Sequence, residues 1–191
     1  TNMDIINKDG EIINIPDIKN KEILGYKTIN DITFRDNMAY LSCGFGIVLL
    51  NMERKEIADT YFIGQDGDAI NVNGITFNDT SIFAATESGI YYANKNASNL
   101  ADFHQWSKDT NVIHPNLAYN LIASFQGKLY TNLYSESFDQ DTMFVFNGYD
   151  WDYFEKDKNT TRHQFTVKDE FFLIANTYNV GVYDSEMEKI I

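Results

Sequence analysis

The chain repeats itself about every 43 residues, and this constrains its fold more than any other feature. The segment INDITFRDNMAYLSCGFGIVLLN, which begins at Ile29, aligns without a gap over 23 residues with VNGITFNDTSIFAATESGIYYAN, which begins at Val72. Further copies begin at Tyr119 and Arg162, so the successive offsets are 43, 47 and 43 residues. Related copies at this period predict a fold assembled from like units, each packed against its neighbours.

Each copy divides into four short strands. In the first complete copy they are expected at about 28–34, 38–43, 47–52 and 56–61, separated by polar or glycine-containing stretches that suit tight hairpins. Four antiparallel strands in every 40–50 residues are typical of a β-propeller blade. We therefore predict an all-β chain: a β-propeller with four-stranded antiparallel blades in repeats of about 43–47 residues.

The repeats place four blades along a single propeller segment that covers residues 1–191. Their predicted ranges are about 28–61, 72–106, 119–155 and 162–191. A leading stretch, 1–24, resembles only the second half of a unit, and rings usually close by pairing strands of both termini in one blade. The pattern therefore predicts part of a larger propeller. A β-sandwich is the rival architecture, but it would not need such a repeat. No sustained 3.6-residue apolar period predicts a helix.

Composition agrees with a chain of strands and excludes two classes of partner. The chain has 12 Tyr, 14 Phe and only 2 Pro, and 43% of its residues are hydrophobic, which allows a substantial core. Its formal charge of −13 repels nucleic acid phosphates and anionic lipid headgroups. No apolar run approaches the roughly 18 residues of a membrane span. Cys43 is the single cysteine, so an internal disulfide is impossible.

One aligned column stands at the start of the innermost strand of each unit. Its members are polar: Asn30, Asn73, Asn120 and His163. In a propeller this strand lines the central channel, so these side chains are expected to ring one mouth of it. They could form a shared ligand or water site. Alternatively, the asparagines satisfy backbone groups where the chain enters the strand.

The loops between second and third strands share a face with the blade-to-blade loops, and propellers usually bind ligands on this face. The predicted contact residues there are Phe45, Glu87, Tyr134, Phe138 and Tyr178. The Tyr134–Asp141 insertion adds aromatic area beside acidic groups, which suits a basic partner loop or a neutral sugar.

Two further aligned pairs carry structural predictions. Gly46 and Gly89 precede the third strand of their units and are expected to need positive φ or a close backbone approach. Trp106 and Trp151 occupy comparable outer-strand positions, where an indole ring normally seals one blade onto another. Alternatively, the two indole rings bind a glycan.

No pattern nominates a catalytic or metal centre, and we predict a non-enzymatic protein without a cofactor. Asp66 and Asp68 have the i, i+2 spacing of a calcium loop, but the remaining ligands of such a loop are missing. The histidines are too scattered to propose a zinc site.

Three segments together resemble the N-terminal β-propeller of PorZ-like proteins, a Bacteroidetes group of the two-component-regulator-propeller type. They are KTINDITFRDNMAYLSCGFGIVLLNMERKEIADTYFIG (27–64), AATESGIYYANKNASNLADFHQW (84–106) and DIINKDGEIINIPDIKNK (4–21). The resemblance implies a periplasmic or cell-surface component of the type IX secretion system, whose partner is the sortase PorU or a surface glycan such as anionic lipopolysaccharide. Related propellers form the sensor halves of hybrid two-component regulators, which is the alternative function.

Overall fold

The computed structural model describes residues 3–20, 22–23, 25–137, 140–156, 158 and 160–191. Strands dominate it. In chain order they are β1 (Met3–Ile6), β2 (Ile12–Ile15), β3 (Ile29–Arg35), β4 (Met38–Cys43), β5 (Gly46–Asn51), β6 (Glu56–Tyr61), β7 (Val72–Phe77), β8 (Ser81–Thr86), β9 (Gly89–Asn94), β10 (Trp106–Lys108), β11 (Tyr119–Phe125), β12 (Lys128–Leu133), β13 (Thr142–Phe146), β14 (Trp151–Tyr153), β15 (Arg162–Lys168), β16 (Phe171–Asn176) and β17 (Val180–Tyr183). Among the described residues, helix is confined to the one-turn α1 (Asp17–Asn20) and two 3₁₀ turns, Gln65–Gly67 and Phe103–Gln105.

The strands form successive antiparallel meanders. Sheet 1 has the order β3-β4-β5-β6, sheet 2 β7-β8-β9-β10 and sheet 3 β11-β12-β13-β14. Sheet 4 is β15-β16-β17, and β1-β2 form a separate pair, called here the leading hairpin. The first strands of neighbouring sheets, β3, β7, β11 and β15, lie side by side in that order. The predicted all-β propeller with antiparallel blades is confirmed.

The outer edge of sheet 4 differs from that of the others. Where a fourth strand was expected, the structure has one isolated bridge, between Tyr183 and Lys189. The Ile190 N–H also donates to the Val182 carbonyl at 2.8 Å. A turn from Asp184 to Glu188 separates β17 from the residues that pair with it.

Side chains on the two faces of a sheet pack against different neighbours, as the alternation of a strand requires. In sheet 2, Ile75 and Phe77 belong to the cluster shared with sheet 1. Phe83 and Ala85 belong to the cluster shared with sheet 3. Similar clusters join the leading hairpin to sheet 1 and sheet 3 to sheet 4. Each sheet is thus stabilised mainly by its neighbours, which explains why neither strand of an isolated hairpin would be stable.

The two aligned glycines open the third strands of their sheets, and both adopt the predicted left-handed backbone, with φ of +147° at Gly46 and +100° at Gly89. A Cβ at Gly46 would lie 2.2 Å from the Tyr61 carbonyl oxygen, and one at Gly89 would lie 2.1 Å from that of Pro115. Both positions therefore combine an unfavourable φ with a close backbone approach.

The two tryptophans seal their blades onto the preceding one. Trp106, at the start of β10, lies in the core between sheets 1 and 2, and its Nε1 donates to the Leu100 carbonyl at 2.9 Å. Trp151, at the start of β14, lies in the core between sheets 2 and 3. Its Nε1 donates to the buried carboxylate of Asp109 at 2.8 Å.

Candidate functional site at the loop face

A repeated backbone hydrogen bond marks one end of every blade. The N–H that follows the second strand donates to the carbonyl that precedes the first strand, at 3.0–3.1 Å. The four pairs are Gly44 to Thr28, Glu87 to Asn71, Tyr134 to Ala118 and Thr177 to Thr161. The donors are separated by the same 43, 47 and 43 residues as the sequence repeats. We call this end of the blades the loop face.

Each innermost strand has a register shift close to the loop face. The shifts lie between Ile29 and Asp31, Val72 and Gly74, Tyr119 and Leu121, and Arg162 and Gln164. The residue left out of the pairing is in every case the polar residue of the aligned column, Asn30, Asn73, Asn120 or His163. A β-bulge turns its extra residue out of the regular pleat, which frees these side chains from the sheet faces.

The bulged residues meet around one polar cavity of about 550 Å³. Its lining includes all four members of the column together with Asp31 and Gln164. The sequence predicts these four residues around one mouth of the central channel, and the structure brings all four to this cavity. Whether the column binds a ligand stays a prediction.

Two of the asparagines are engaged in contacts between blades. Asn30 Nδ2 donates to the Val72 carbonyl at 2.7 Å, and Asn73 Nδ2 donates to the Tyr119 carbonyl at 2.8 Å. Each acceptor opens the innermost strand of the following sheet. Asn71 joins the same set, because its side chain accepts from Asn30 and donates to Asn73, both at 2.8 Å. These bonds favour the backbone-satisfying interpretation of the asparagines.

The other two column residues have different partners. Asn120 Oδ1 accepts from Asn132 Nδ2 at 2.7 Å, within the same sheet. His163 Nε2 lies 3.2 Å from Thr177 Oγ1, and its side chain is exposed. The contact between blades that Asn30 and Asn73 make is thus replaced at the junction of sheets 3 and 4.

That junction holds a buried polar network centred on Arg162, which is only 1% exposed. Its Nη1 donates to Asn132 Oδ1 and to the Asp141 carbonyl, both at 3.1 Å. The Asp141 carboxylate accepts from the Arg162 and Ser135 backbone N–H groups, each at 3.0 Å, and from Asn132 Nδ2 at 2.8 Å. The network fixes the end of the Tyr134–Asp141 insertion to the start of sheet 4.

Sequence reasoning missed Arg162 and Asn132 as partners of Asp141. One feature of the sequence could have indicated this network. The residue before the polar column is Ile29, Val72 and Tyr119 in the first three units, and the fourth unit places an arginine there. A charged residue in an otherwise apolar, blade-facing column predicts a buried counterpart, because unpaired buried charge is costly.

The predicted contact residues of the loop face fall into different environments. Tyr134 is 47% exposed and Tyr178 is 71% exposed. Glu87 is also exposed and lines a second cavity of about 550 Å³ with Tyr26 and Asn71. Its carboxylate accepts from the Asn71 N–H at 3.1 Å. Phe138 lies outside the described residues.

Phe45 corrects the sequence prediction. Its side chain is 0% exposed and packs in the cluster between the leading hairpin and sheet 1, with its ring centroid 6.1 Å from that of Phe62. A ligand on the loop face cannot reach it in this conformation. The position is that of Tyr178 in the fourth unit, so equivalent positions in the repeat differ in burial.

Burial raises the pKa of several tyrosines, Tyr61 and Tyr119 among them, and of the one thiol. The pKa of Tyr61 and that of Tyr119 rise because burial disfavours phenolate, and neighbouring Asp109 adds to the effect at Tyr119. The Tyr119 hydroxyl donates to the Ile113 carbonyl. Burial raises the pKa of Cys43 to about 12, so its thiol stays protonated at neutral pH.

Among the described residues, no group of three or more His, Cys, Asp or Glu side chains could hold a metal ion. Asp66 and Asp68, the pair with calcium-loop spacing, lie in and beside the 3₁₀ turn Gln65–Gly67. Over the same part of the chain, no helix has the length and apolarity needed to span a bilayer.

Comparison with known families gives a match at the level of sequence. Residues 1–107, more than half of the chain, match the family described as the N-terminal β-propeller domain of PorZ from the type IX secretion system. A search of curated proteins finds no match.

Among solved structures, PorZ of Porphyromonas gingivalis, a surface component of the type IX secretion system, superposes with a TM-score of 0.77 at 18% identity. The alignment covers 98% of this chain and 24% of that chain, so the present chain spans about a quarter of the PorZ structure.

Two structures from Bacteroides thetaiotaomicron are also similar. The extracellular domain of a putative hybrid two-component system has a TM-score of 0.58 at 11% identity, covering 94% of this chain and 26% of that one. An auxiliary nutrient binding protein has a TM-score of 0.59 at 15% identity, covering 86% and 41%. At these identities the likeness concerns the fold.

Proposed function

The chain belongs to the family of PorZ N-terminal β-propeller domains, and on that premise we propose that it is a non-catalytic binding and scaffold module of a type IX secretion surface protein. We place the module in the periplasm or at the cell surface. Its loop face contacts a protein partner, and in the assembled system the sortase PorU is the first candidate.

The proposal rests on one observation: the loop face repeats the same backbone geometry in every blade but presents different side chains. Gly44, Glu87, Tyr134 and Thr177 make the same hydrogen bond in four successive blades, yet they differ in size, charge and polarity. A rigid scaffold that presents different chemistry at equivalent positions is suited to recognising an irregular protein surface. Exposed Tyr134 and Tyr178 supply the aromatic area that such interfaces favour.

The charge of the chain supports a protein partner over an anionic polymer. With a formal charge of −13, the chain repels lipopolysaccharide phosphates and carboxylates at long range. Tyr26 and the Glu87 carboxylate line one cavity, and an aromatic ring with a carboxylate favours a partner loop that carries Lys or Arg. The Asn30 and Asn73 amides near the channel mouth donate to backbone carbonyls, which supports a structural role for these two residues over a catalytic one.

The test compares two faces of the same molecule. Tyr134→Ala and Tyr178→Ala are combined on the loop face, and Tyr149→Ala is the matched control. Tyr149 is 87% exposed and lies in the turn between β13 and β14, at the opposite end of the blade. Binding of purified PorU is measured by biolayer interferometry, and immobilised anionic lipopolysaccharide is the second probe.

We expect the double variant to weaken PorU binding at least about tenfold, as removal of two central aromatic anchors does, while Tyr149→Ala leaves it unchanged. Both variants should melt like the parent protein, since exposed truncations rarely affect folding. Unchanged PorU binding by the double variant would contradict a partner site on this face. Binding of lipopolysaccharide alone would refute the preference for a protein partner.

A ligand-sensing module of a hybrid two-component regulator is the second candidate, and the polar cavity among the innermost strands favours it. That cavity brings exposed His163 together with Asp31 and Gln164, which are suitable hydrogen-bonding groups for a neutral sugar. Titration calorimetry with neutral oligosaccharides separates the two candidates. Saturable binding that His163→Ala removes supports sensing, and its absence supports the scaffold.

A further inference from the structure

The second cavity of the loop face lies between sheets 1 and 2. Its volume is about 550 Å³, within the range of small-ligand pockets. Residues of the segments 25–30 and 69–71, which lead into the two sheets, line it together with Gly44 and Glu87. Tyr26, on the first segment, is 83% exposed. The cavity therefore combines an accessible aromatic ring with a carboxylate, and we call it the Tyr26–Glu87 cavity.

Both sides of this cavity are fixed to the sheets by backbone contacts. The Gly44 N–H donates to the Thr28 carbonyl at 3.0 Å, and a Cβ at Gly44 would lie 2.3 Å from the Tyr26 carbonyl oxygen. On the other side, the Glu87 N–H donates to the Asn71 carbonyl, and the Asn71 N–H donates to the Glu87 carboxylate, both at 3.1 Å. The segment that carries Tyr26 and the Glu87 side chain are thus positioned by the loop-face backbone.

Oxygen acceptors line the cavity on separate segments. Asn30 Nδ2 donates to Asn71 Oδ1 and to the Val72 carbonyl, which occupies both of its hydrogens and leaves Asn30 Oδ1 as an acceptor. Glu87 Oε1 accepts from the Asn71 N–H, and within the described part of the chain Glu87 Oε2 has no hydrogen bond or ion pair. The described residues that line the cavity include no lysine, arginine or histidine. The cavity is therefore acceptor-rich and carries uncompensated negative charge.

Between sheets 2 and 3 the chain supplies a cation of its own at the loop face. Lys108 Nζ lies 2.8 Å from Asn116 Oδ1 and 5.9 Å from the centre of the Tyr91 ring. The 47-residue offset makes Asn116 the counterpart of Ala69, which lines the Tyr26–Glu87 cavity. In the strand register of sheet 1, Thr60 takes the place of Lys108. A threonine thus stands where the next blade has a cation beside an aromatic ring and an oxygen acceptor.

We propose that the Tyr26–Glu87 cavity binds the side chain of one arginine on a partner protein. This inference rests on the proposed function, because contact of a partner with the loop face brings the arginine to the cavity. The guanidinium stacks on the Tyr26 ring and donates to the Glu87 carboxylate and to Asn30 Oδ1.

The lining favours arginine over lysine. A guanidinium offers five donors in one plane, which suits acceptors that lie on separate segments, and its flat face stacks on an aromatic ring. An ammonium is compact and strongly hydrated, so it gains less from the ring and reaches fewer acceptors. The formal charge of −13 attracts either cation to the surface.

Two probes test the cavity, one without PorU and one with it. The first is the peptide Ac-Gly-Gly-Arg-Gly-Gly-NH₂, and matched peptides carry lysine or citrulline in place of the arginine. Citrulline keeps the shape of arginine but lacks its charge. Peptide binding to the whole chain is followed by NMR through the backbone amides of Asn71 and Glu87. The second probe is purified PorU, whose binding is measured by biolayer interferometry.

The variants remove one feature of the cavity at a time. Glu87→Gln removes the charge and keeps an oxygen for the Asn71 N–H, and Tyr26→Ala removes the ring. The matched controls are Glu170→Gln and Tyr149→Ala, which change exposed residues in hairpin turns at the opposite end of the blades. All four variants should give spectra of the folded chain, because exposed substitutions rarely affect folding.

We expect saturable shifts with the arginine peptide, weaker binding of the lysine peptide and none of the citrulline peptide. Glu87→Gln should weaken binding of the arginine peptide at least about tenfold, as loss of a hydrogen bond between charged groups does. Tyr26→Ala should weaken it about threefold, as loss of an exposed cation–π contact does. Both variants should also weaken PorU binding, and the two controls should change neither measurement.

The outcomes separate this inference from the proposed function. Equal binding of the arginine and citrulline peptides would overturn the arginine site, and so would PorU binding that Glu87→Gln and Tyr26→Ala leave unchanged. In either case, PorU binding by the parent chain would leave the proposed function intact. If the parent chain binds the arginine peptide in this cavity but does not bind PorU, the site is supported and PorU is refuted as the partner.

Discussion

An apolar cluster joins sheets 1 and 2 and another joins sheets 3 and 4, but at their loop-face ends the two contacts use the same backbone geometry with opposite chemistry. At equivalent positions, Val72 is a buried aliphatic residue and Arg162 is a buried cation. The first junction is apolar, with the Asn30 amide bonded to the Val72 carbonyl at its edge. The second replaces that contact with the Arg162, Asn132 and Asp141 network.

The comparison shows which parts of a blade contact the fold prescribes. The bulge, the loop-face hydrogen bond and the alternation of faces recur in all four sheets. The chemistry between the faces is free to vary, provided that buried polar groups find partners. A substitution in an apolar junction costs only the packing that it removes. In a polar junction, removal of one member also leaves its buried partners without hydrogen bonds, which destabilises the fold further.

The largest effect should follow from breaking the polar junction. We expect Arg162→Ala to lower the free energy of unfolding by about 3–5 kcal/mol, because Asn132 Oδ1 and the Asp141 carbonyl lose a charged donor while remaining buried. Urea unfolding monitored by fluorescence measures it. Arg162→Met keeps most of the volume and should cost nearly as much.

The matched substitution in the apolar junction is Val72→Ala, for which we expect a loss of about 1–3 kcal/mol from reduced packing. If Arg162→Ala costs no more than Val72→Ala, the polar network contributes nothing beyond its volume.

A smaller effect is expected where a blade approaches the next loop. Gly89→Val should cost about 2–3 kcal/mol, because valine is strained at a φ of +100° and its Cβ would meet the Pro115 carbonyl. Gly127→Ala is the control, since its φ is +72° but no atom lies within 4 Å of the added Cβ. It should cost about 1 kcal/mol. If both substitutions lowered the melting temperature equally, the positive φ alone would account for the loss at Gly89, with no contribution from the Pro115 carbonyl.

The hydrogen bond that Asn30 makes across the apolar junction should contribute about 1 kcal/mol. Asn30→Ala leaves the Val72 carbonyl without this donor, and chemical denaturation should detect the loss. The exposed turn residue Asn96 provides the control, because its replacement by Ala should change stability by less than about 0.5 kcal/mol. If Asn30→Ala left the free energy of unfolding unchanged, water would have replaced the lost amide donor fully.

At neutral pH the smallest effect should come from Tyr119→Phe, which removes one hydroxyl at the equivalent position between sheets 2 and 3. Its consequence grows at high pH. The pKa of Tyr119 is raised in the folded state, so the folded protein holds that proton when the unfolded chain releases it near pH 10. The contribution to stability is therefore complete below pH 10 and falls as the pH rises toward the folded-state pKa.

Stability measured from pH 8 to 11 should decline more steeply for the parent than for Tyr119→Phe. Tyr61, whose pKa is also raised by burial, continues to contribute in both proteins. Parallel curves for the two proteins would show that Tyr119 titrates alike in the folded and unfolded states.

Much of the fold could be predicted because the same local sequence pattern recurs in four copies. The alternation around Ile75 and Phe83, the glycines before third strands and the tryptophans of the outer strands all follow from short-range pattern. The candidate site was less predictable. Phe45 and Tyr178 are equivalent in the alignment, but Phe45 is buried under the leading hairpin and Tyr178 is not.

The sequence by itself determined the blade, its period and the face that each apolar residue turns toward a neighbour. These depend on strand alternation and turn residues, which act within about 40 residues. Only the tertiary structure decided that Asn30 and Asn73 bond to the following blade and that Asp141 and Arg162 share one network. Each of these depends on which side chains meet between blades. Such contacts join residues about 20 to 45 positions apart, where no local pattern specifies the partner.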